Sequence, residues 1–577
     1  MKFIFSYLKR YKGIFFLNVI SVFGFVLVEL GIPTIMSDII DYGIVHSDIP
    51  YIYHKGIIIS IISVIGVAGT ILLGYCCAKI STAITRDIRN DIFKKIQTFS
   101  PSEYNQIGIS SLITRTNNDA FQIQVFINMV LRTALLTPIM IVISFILTLQ
   151  TSLLLSLIIA LTLPIIFIGI IYVTKRAQPL SSRQQKALDS VNRISKENLT
   201  GVRVIRSFNN DAYENERFET VNHEYTHYSK RVFSLMMLTS PIFFFLMNLT
   251  ILVIFWTASI MVSDQTLEVG KIVAFQDYVF HAMYSMMMFC SVLVMYPKAK
   301  VSSDRILEVL HTEPSIKNSE VCRSENETIR DIAFHDVTFV YPDGEEPVLK
   351  NISFTAKQGQ TIAFIGSTGS GKSTLINLIP RFYDASCGEI TINGNDIRCF
   401  DLTSLRNRIG FISQKAVLFT GTIKDNICFG KKEATEQELI HASKISQSYD
   451  FIMDKEKGFD EWISESGSNM SGGQKQRLSI ARAVIKKPDI YIFDDSFSAL
   501  DFKTDKALRK ALQPEIKQAI VMIVAQRIST IKDADQIIVL HEGEIVGSGT
   551  HQALLKSCPI YHEIAASQLS EEELKYA

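Results

Sequence analysis

A glycine-rich stretch carries the clearest chemistry in this sequence. GSTGSGKST, residues 366–374, fits G-x-x-x-x-G-K-[ST], follows the strand-like run TIAFI and opens the helical LINLIPRFY. Its glycines let backbone N–H groups and a helix N-terminus surround phosphate oxygens. We predict a site for ATP and Mg²⁺, with Lys372 on the β- and γ-phosphates and Ser373 in the Mg²⁺ shell. The predicted ATP-binding residues of this stretch are Gly366, Ser367, Thr368, Gly369, Ser370, Gly371, Lys372, Ser373 and Thr374.

Two carboxylates later in the chain extend this chemistry. In PDIYIFDD an apolar run predicts a buried strand that ends at Asp494 and Asp495. The strand would bring Asp494 beside the phosphate loop, where its carboxylate helps to hold Mg²⁺. An apolar run ending in Asp is common by itself. Its distance from a well-placed phosphate loop is what favours the metal role.

A third segment predicts a second place for phosphate. In NMSGGQKQRLSIARAVIKK, small residues precede an amphipathic helix, so that backbone amides and the positive end of the helix dipole face outward. The residues at this helix start are Ser471, Gly472, Gly473 and Gln474. If both are surface elements, this helix start cannot reach the nucleotide of the first site in the same subunit, so the segment implies a partner domain. A capped helix without any ligand is the alternative for SGG by itself.

The two halves of the chain differ in composition. The first three hundred residues hold long apolar runs, and the remainder is typical of a soluble α/β protein. The net charge of +1 gives no bulk attraction to nucleic acid, so no nucleic-acid partner is expected. The eight cysteines have neither disulfide-scaffold nor metal-ligand spacing, which suits a reducing cytoplasm.

Six apolar windows are long enough to cross a bilayer, which takes about 20 residues. The windows cover roughly residues 14–39, 56–83, 126–149, 152–174, 235–262 and 270–296. The first is too long for the core of a signal peptide, so we expect it to remain in the protein. The connections after the second and fourth windows are long and keep a helical pattern, as in AITRDIRNDIFKKIQ. We therefore expect these spans to continue as helices well beyond the bilayer.

Lys and Arg residues are unevenly distributed among the connections. The N-terminus and the two long connections are rich in them, whereas DYGIVHSDIP, QTS and VSDQTLE contain none. Positive residues mark the cytoplasmic side of a membrane protein. The sequence therefore predicts a multi-pass protein of the cell membrane, with the nucleotide-binding domain and both termini in the cytoplasm.

Three ionisable residues in the apolar windows are candidates for a substrate cavity. Glu29 lies in the first window, and Asp277 and His281 share a helical face of the sixth because they are four residues apart. Ionisable groups at membrane depth usually face a bundle interior or an aqueous cavity. Simple solvation at the outer interface is the alternative for both carboxylates.

A polar segment without periodicity divides the chain. TEPSIKNSEVCRSENETIR, within residues 312–330, is a predicted linker. It separates a membrane domain, residues 1–311, from a nucleotide-binding domain, residues 331–567. A short tail, residues 568–577, follows.

Together these motifs make the chain resemble a half-transporter of the ABC exporter family over nearly its full length. The resemblance implies a membrane all-α six-helix exporter domain followed by an α/β P-loop ATPase domain. It also implies that Tyr341 in FVYPDG stacks on adenine, that Gln414 in FISQKAVLF contacts Mg²⁺, and that Asp501 in SALD links two nucleotide sites. MSGGQ stands for the family signature LSGGQ, which acts on the ATP of a second subunit. SSLITRTNNDA and ENLTGVRVIRSF resemble the family's intracellular loop segments.

Two positions depart from the pattern of that family. Position 495 is normally Glu, which holds the attacking water, and position 526 is normally His, which touches the γ-phosphate. Here they are Asp495 and Gln526. Asp draws the carboxylate back by about 1.5 Å, and a 1 Å misplacement can cost on the order of a hundredfold in rate. Gln can bond a phosphate but cannot become an imidazolium. The sequence therefore predicts a site that holds ATP and cleaves it slowly.

A slow site beside a nearly intact signature resembles one subunit of the family's asymmetric heterodimers. We expect an ATP-driven exporter subunit that pairs with a second half-transporter in the lipid bilayer. Its cargo would be amphipathic small molecules, as for multidrug exporters. The alternatives are a homodimer with two slow sites, a lipid or peptide flippase, and an ATP-gated regulatory membrane protein.

Overall fold

The computed structural model describes residues 2–318 and 328–569, which form two compact units. One unit joins Met1–Gln97 to Ile109–Thr312, and the other joins Thr98–Gly108 to Glu313–Ala577. Residues 319–327 of the predicted linker and residues 570–577 of the predicted tail lie outside the described residues.

The first unit is built from six long helices in the described part of the chain, which we call spans one to six. They are Phe3–Ile44, Ile49–Ile96, Ile109–Thr151, Leu153–Ser207, Asp211–Ser263 and Val269–His311. Each contains an apolar window long enough to cross a bilayer, so the six predicted spans are confirmed. The expected helical extensions are confirmed as well. Span four has 55 residues, which corresponds to about 80 Å of helix.

Span two is anchored by a buried stripe of isoleucine. Ile80, Ile84 and Ile88 are each four residues apart and fully buried, because this spacing places them on one helical face. Nearer the start of the span, a Cβ at Gly69 would lie 3.4 Å from the backbone of Gly24 on span one. The two helices therefore approach closely through small residues, as membrane helices commonly do.

Span three contains a widened turn at Val130–Ala134, where the helix is π-helical. The backbone N–H of Leu135 bonds to the carbonyl five residues earlier, at Val130. Pro138 lies four residues after Ala134 and has no N–H to donate to the Ala134 carbonyl. The widened turn carries Arg132.

The second unit contains three β-sheets in its described residues. In chain order the strands are β1 (Asp331–Phe339), β2 (Leu349–Lys357), β3 (Thr361–Gly366), β4 (Cys387–Ile392), β5 (Asn395–Asp396), β6 (Ile409–Ile412), β7 (Gly421–Thr422), β8 (Trp462–Ile463), β9 (Ile490–Asp494), β10 (Ile520–Val524), β11 (Gln536–His541) and β12 (Glu544–Gly549). The strand orders are β2-β1-β4-β5, β12-β11-β3-β10-β9-β6 and β7-β8.

Eleven α-helices belong to this unit in the described residues. They are α1 (Pro101–Ile107), α2 (Lys372–Leu378), α3 (Leu402–Asn407), α4 (Ile423–Cys428), α5 (Glu436–Ile445), α6 (Tyr449–Met453), α7 (Gly472–Val484), α8 (Phe502–Ile516), α9 (Ile528–Ile531), α10 (His551–Ser557) and α11 (Pro559–Ala566). Apolar side chains of the six-stranded sheet contribute to two buried clusters of this unit. The unit is therefore α/β, as the resemblance implied.

The six-stranded sheet brings the predicted nucleotide residues to one edge. β10 lies between β3 and β9, and all three strands are parallel. The phosphate loop follows β3, Asp494 ends β9, and Gln526 follows β10. Because the carboxyl ends of parallel strands meet at the same edge of a sheet, these segments converge there.

Helix α1 belongs to the second unit although it lies between spans two and three in the chain. Ser100 and Glu103 form a capping box at its start. The buried Glu103 carboxylate also accepts the backbone N–H of Ser315 at 3.0 Å, and the Ser100 and Ser315 hydroxyls lie 2.8 Å apart. The sequence interpretation had placed this segment in a loop of the membrane domain. Its contacts group it with the ATPase unit.

Candidate nucleotide site and membrane cavity

The phosphate loop depends on glycine at two close approaches. Gly371, which precedes α2, has a left-handed backbone with φ 95°, and a Cβ there would lie 2.7 Å from Cδ2 of Leu349. A Cβ at Gly366 would lie 2.1 Å from the carbonyl oxygen of Leu540. The clash at Gly366 is with backbone, so a side chain there would force the loop to shift. At Gly371 the left-handed φ adds backbone strain to the contact with Leu349, so both positions favour glycine.

Lys372 is folded into this loop. Its buried Nζ donates to the carbonyls of Gly366 and Ser367 at 2.9 and 2.6 Å, and to the Ser370 hydroxyl at 3.2 Å. Burial lowers the pKa of Lys372, and the nearby carboxylates Asp495 and Asp494 oppose that effect. The ammonium is thus held within the loop, where phosphate oxygens of a nucleotide would be stronger acceptors than backbone carbonyls.

Ser373 and Asp494 fit the expected Mg²⁺ position. The Ser373 hydroxyl donates to Oδ1 of the buried Asp494 at 2.9 Å. Burial raises the pKa of Asp494, the Ser373 hydroxyl opposes the rise, and the charge of Asp495 adds to it. The carboxylates of Asp494 and Asp495 and the Ser373 hydroxyl form an oxygen-rich donor set beside the phosphate loop, which suits a hard divalent cation.

A cavity of about 300 Å³ opens over these groups. The predicted residues that line it are Thr368, Gly369, Gly371, Lys372, Ser373, Thr374, Gln414, Asp494, Asp495 and Gln526. Four separate chain segments supply them, so the structure gathers the predicted ATP and Mg²⁺ residues into one place. Gly366, Ser367 and Ser370 shape the loop without lining this cavity in the described residues.

Asp495 receives two side-chain amides. Its Oδ2 accepts Nε2 of Gln526 at 3.1 Å and Nε2 of Gln414 at 3.4 Å. Its backbone N–H donates to the Val524 carbonyl at 2.9 Å, which fixes it beside β10. Burial raises the pKa of Asp495, while the Gln414 amide and the Arg527 charge oppose the rise. The carboxylate therefore lies at the cavity wall, with two neutral donors on its Oδ2.

The loop that carries Gln526 is held by Gln568, a residue that sequence reasoning missed. Nε2 of Gln568 donates to the Gln526 carbonyl at 2.8 Å, and its Oε1 accepts the Ile528 N–H at 2.9 Å. One side chain thus bonds two backbone groups of the loop, the Gln526 carbonyl and the Ile528 N–H. Gln568 is the first residue of the predicted tail, and no local sequence signal marks this contact.

Tyr341 lies close to the loop but does not line the cavity. Its hydroxyl lies 3.0 Å from Oγ1 of Thr374, and its ring contacts those of Phe339 and Tyr383 edge-on. The half-buried ring is therefore held beside the phosphate loop. Its stacking on adenine remains a prediction.

The signature segment starts helix α7 away from the phosphate cavity. Ser471 caps the helix and forms a capping box with Gln474, whose Oε1 accepts the Ser471 N–H at 3.0 Å. A Cβ at Gly473 would lie 3.3 Å from the Ala499 carbonyl, which places this helix start against the segment before Asp501. Ser471, Gly472, Gly473 and Gln474 line no part of the phosphate cavity in the described residues.

Asp501 caps the next helix, α8. Its side chain accepts the Thr504 N–H at 3.0 Å, and this hydrogen bond lowers the pKa of Asp501. The carboxylate is exposed and charged at the start of the helix. Its role between two nucleotide sites remains a prediction.

A second cavity, of about 780 Å³, lies among the spans of the first unit. Glu29 and His281 line it, and Nε2 of His281 lies 3.3 Å from Oε2 of Glu29. The structure therefore brings these two predicted residues together. Asp277 does not line the cavity, although it shares a helix with His281. Arg132 does line it. Sequence reasoning missed Arg132, although an arginine within the third apolar window was a signal.

Two protein families match the chain. The family described as "ABC transporter transmembrane region" matches residues 14–292, and the family described as "ABC transporter" matches residues 349–498. The chain is 37% identical over 572 residues to the "Uncharacterized ABC transporter ATP-binding protein YfiB" of Bacillus subtilis (strain 168). The match covers 98% of this chain and 98% of the relative.

A more distant relative and a solved structure agree with these matches. The chain is 30% identical over 495 residues to an "ATP-dependent lipid A-core flippase" of Syntrophus aciditrophicus (strain SB), covering 86% of this chain and 82% of the relative. The "Structure of a bacterial Atm1-family ABC exporter with ATP bound" superposes with a TM-score of 0.82 at 23% identity. It covers 96% of this chain and 99% of that one, and it shares the fold.

Proposed function

The chain belongs to the ABC transporters that carry a transmembrane region and an ATPase domain in one polypeptide, and we propose that it is the weakly hydrolysing half of a heterodimeric exporter. It would move amphipathic compounds, as multidrug exporters do, out of the cell by alternating access. One observation carries the proposal. The carboxylate at the cleaving position is the short Asp495, which two neutral amides hold at the wall of the site.

The groups that bind ATP are complete in this chain. Lys372 and the glycine loop would hold the β- and γ-phosphates, and Ser373 and Asp494 would hold Mg²⁺. When bound, Mg²⁺ would neutralise phosphate charge. This chain therefore has the residues for phosphate and Mg²⁺ that the family pattern requires.

The groups that would cleave ATP are weaker. Attack on the γ-phosphate needs a water oriented by a carboxylate, and Asp495 reaches about 1.5 Å less far than Glu would. Gln526 can donate to Asp495 or to a phosphate, but it cannot carry a proton between them. These two features support a site that is occupied by ATP for long periods and turned over slowly.

A second half-transporter would supply the missing cleavage chemistry. The capped start of α7 lines no part of this chain's own phosphate cavity in the described residues, which supports a head-to-tail arrangement. In that arrangement the signature residues 471–474 of this chain would complete the partner's site. The partner would carry the Glu and the His that this chain lacks. A homodimer with two slow sites is the competing assembly.

We place the ATPase unit and both termini in the cytoplasm of the cell. Support comes from the Lys and Arg residues concentrated in the N-terminus and in the two long connections. Hydrolysis at the partner-supplied site would reset the transporter, while ATP at the slow site would keep the two ATPase units associated.

Lipid translocation is a second candidate for the cargo step. A relative of 30% identity is named for the transfer of lipid A-core. A lipid flippase would use the same ATP chemistry, so the two candidates differ only in the molecule that enters the membrane cavity.

The experiment is to purify the chain alone and together with a candidate second half-transporter. We expect the chain alone to bind a fluorescent ATP analogue but to release phosphate slowly, and the pair to release phosphate at least about tenfold faster. Native mass measurement of both samples gives the assembly. Brisk, cooperative phosphate release by the chain alone would contradict the proposal.

A further inference from the structure

We infer that the membrane cavity binds an amphiphile with an anionic head group, and that Arg132 recognises that group. The inference rests on the proposed export function, since it names the class of molecule that the same cavity would take. It starts from an arginine whose charge has no partner among the residues that the structure describes.

Arg132 lies in the third apolar window and lines the cavity of about 780 Å³. It makes no ion pair or side-chain hydrogen bond to any other described residue, and its side chain is exposed. A guanidinium keeps its charge in proteins. An arginine near membrane depth is costly unless water or an anion accompanies it. A negatively charged occupant of the cavity would supply the partner that this arginine lacks among the described residues.

The other charged groups of the cavity do not neutralise Arg132. Glu29 is paired with His281 at 3.3 Å. The Thr137 hydroxyl donates to the Ser285 carbonyl at 3.1 Å, which aligns spans three and six. Counting along the two helices from that contact, Arg132 and His281 lie about 13 Å apart along the helix axes. The Glu29–His281 pair and Arg132 therefore form two separate polar positions.

The cavity wall changes from polar to apolar along one face of span three. The lining residues at four-residue spacing are Gln124, Asn128, Arg132, Leu136 and Met140. Residues at this spacing follow one another along a helical face. The first three offer amide and guanidinium donors, and the last two are apolar. This order matches a molecule with a polar head at one end and a hydrocarbon body at the other.

The opposite walls continue the apolar part. Phe25 from span one, Leu73 from span two, and Phe280 and Met288 from span six also line the cavity. Aromatic and thioether side chains adapt to hydrocarbon of varied shape. The head-group chemistry is therefore the more selective feature. A guanidinium with neighbouring amides favours phosphate, sulfonate or carboxylate over a quaternary ammonium.

The widened turn adds an independent observation. Arg132 lies within the π-helical stretch Val130–Ala134, and such turns are frequent at functional sites of helices. The stretch contains one arginine, and that arginine lines the cavity.

The test measures binding without ATP, so that it is independent of hydrolysis and transport. The full-length assembled protein in phosphatidylcholine nanodiscs is titrated by calorimetry with decyl phosphate and with decyltrimethylammonium, and empty nanodiscs are subtracted. We expect decyl phosphate to bind at least about tenfold more tightly. Arg132→Gln should remove that preference, and Arg132→Lys should keep part of it. Met140→Ser should weaken both probes.

Arg176→Gln is the matched control, because Arg176 is an exposed arginine of span four that does not line the cavity. It should leave both affinities unchanged. Thermal midpoints of all variants check that each one folds. If Arg132→Gln leaves decyl phosphate binding unchanged, or if decyltrimethylammonium binds as tightly as decyl phosphate, the inference is wrong. A loss of assembly without a change in binding would instead assign Arg132 to a subunit contact and would also overturn it.

Two sources of the anion are separated by a further arm. Replacing part of the phosphatidylcholine with phosphatidylglycerol should compete with decyl phosphate if the head group is that of a lipid. No competition would assign the site to a free amphiphile. Both results keep the anionic class. Slow ATP turnover, the core of the proposed function, is measured separately, so failure of one does not imply failure of the other.

Discussion

Gln526 donates its side-chain amide to Oδ2 of Asp495 at 3.1 Å. A side-chain amide neither gains nor loses a proton near neutral pH, whereas an imidazole does both. The pair can therefore orient the carboxylate but cannot relay a proton. The carboxylate itself is short and is held at the cavity wall by a second amide, that of Gln414.

Asp495→Glu should raise the rate of ATP hydrolysis. The longer side chain moves the carboxylate forward by about 1.5 Å, and we expect an increase on the order of ten- to a hundredfold in turnover. Adding Gln526→His should increase it further. The measurement is phosphate release at saturating ATP. Asp533→Glu, at an exposed aspartate outside the cavity lining, is the control. An unchanged rate in Asp495→Glu would show that side-chain length is not what limits cleavage.

Gly371→Ala should abolish high-affinity ATP binding. The new Cβ would lie 2.7 Å from Cδ2 of Leu349, and the alanine would also have to adopt φ 95°. We expect at least about a hundredfold weaker binding of a fluorescent ATP analogue, because a shift of the loop by 1 Å displaces several phosphate donors at once.

Gly394→Ala separates backbone strain from loop shape. Gly394 has φ 75°, and a Cβ there has no neighbour within 4 Å. The substitution should cost about 1 kcal/mol of stability and leave ATP affinity unchanged. Equal loss of ATP binding in both variants would mean that the Leu349 contact is unimportant.

Gln568→Ala should loosen the loop that carries Gln526. The substitution removes two hydrogen bonds to backbone groups of that loop, which contribute about 1 kcal/mol each. Hydrogen exchange at the Ile528 amide should therefore accelerate by roughly fivefold or more, while α7 keeps its protection. A lower turnover rate with unchanged ATP affinity should accompany this change. Uniform acceleration across the ATPase unit would indicate a global loss of stability instead.

Glu103→Gln should destabilise the second unit in a pH-dependent way. Burial favours a raised pKa for Glu103, but hydrogen bonds from Ser100 and Ser315 outweigh it and hold the pKa below its usual value. The charged form therefore stabilises the fold above the usual Glu pKa, and this contribution is lost as the pH falls through the folded-state pKa. The thermal midpoint of the full chain should be lower for the variant at pH 7, and the difference should shrink below about pH 4.5.

The control for this pH series is Glu345→Gln, at an exposed glutamate of the same unit. Its midpoint should follow that of the unchanged protein at every pH. A difference between Glu103→Gln and the unchanged protein that stays constant with pH would rule out the charge of Glu103 as the cause.

The sequence was informative wherever function depends on local pattern. Glycine spacing predicts the phosphate loop, an apolar strand ending in acid predicts Asp494, and length with hydropathy predicts the six spans. In each case the physical requirement acts on neighbouring residues. The fold class follows from the same patterns together with the family resemblance.

The sequence could not predict contacts between segments that are far apart in the chain. Gln568 bonds to a loop about forty residues earlier in the chain. Glu103 bonds to Ser315, which is 212 residues later in the chain. In the membrane cavity, helical periodicity pairs Asp277 with His281, but it does not say which of them the cavity meets. The orientation of each span about its axis decides that, and packing between helices sets this orientation.

The segment Thr98–Gly108 gives the two units an unusual connectivity. Because it folds with the ATPase unit, the polypeptide crosses between the units three times, after Gln97, after Gly108 and after Thr312. The chain therefore continues from this unit into the ends of spans two, three and six. For the same reason, a gene fragment beginning at residue 328 would encode an ATPase unit that lacks one of its own helices.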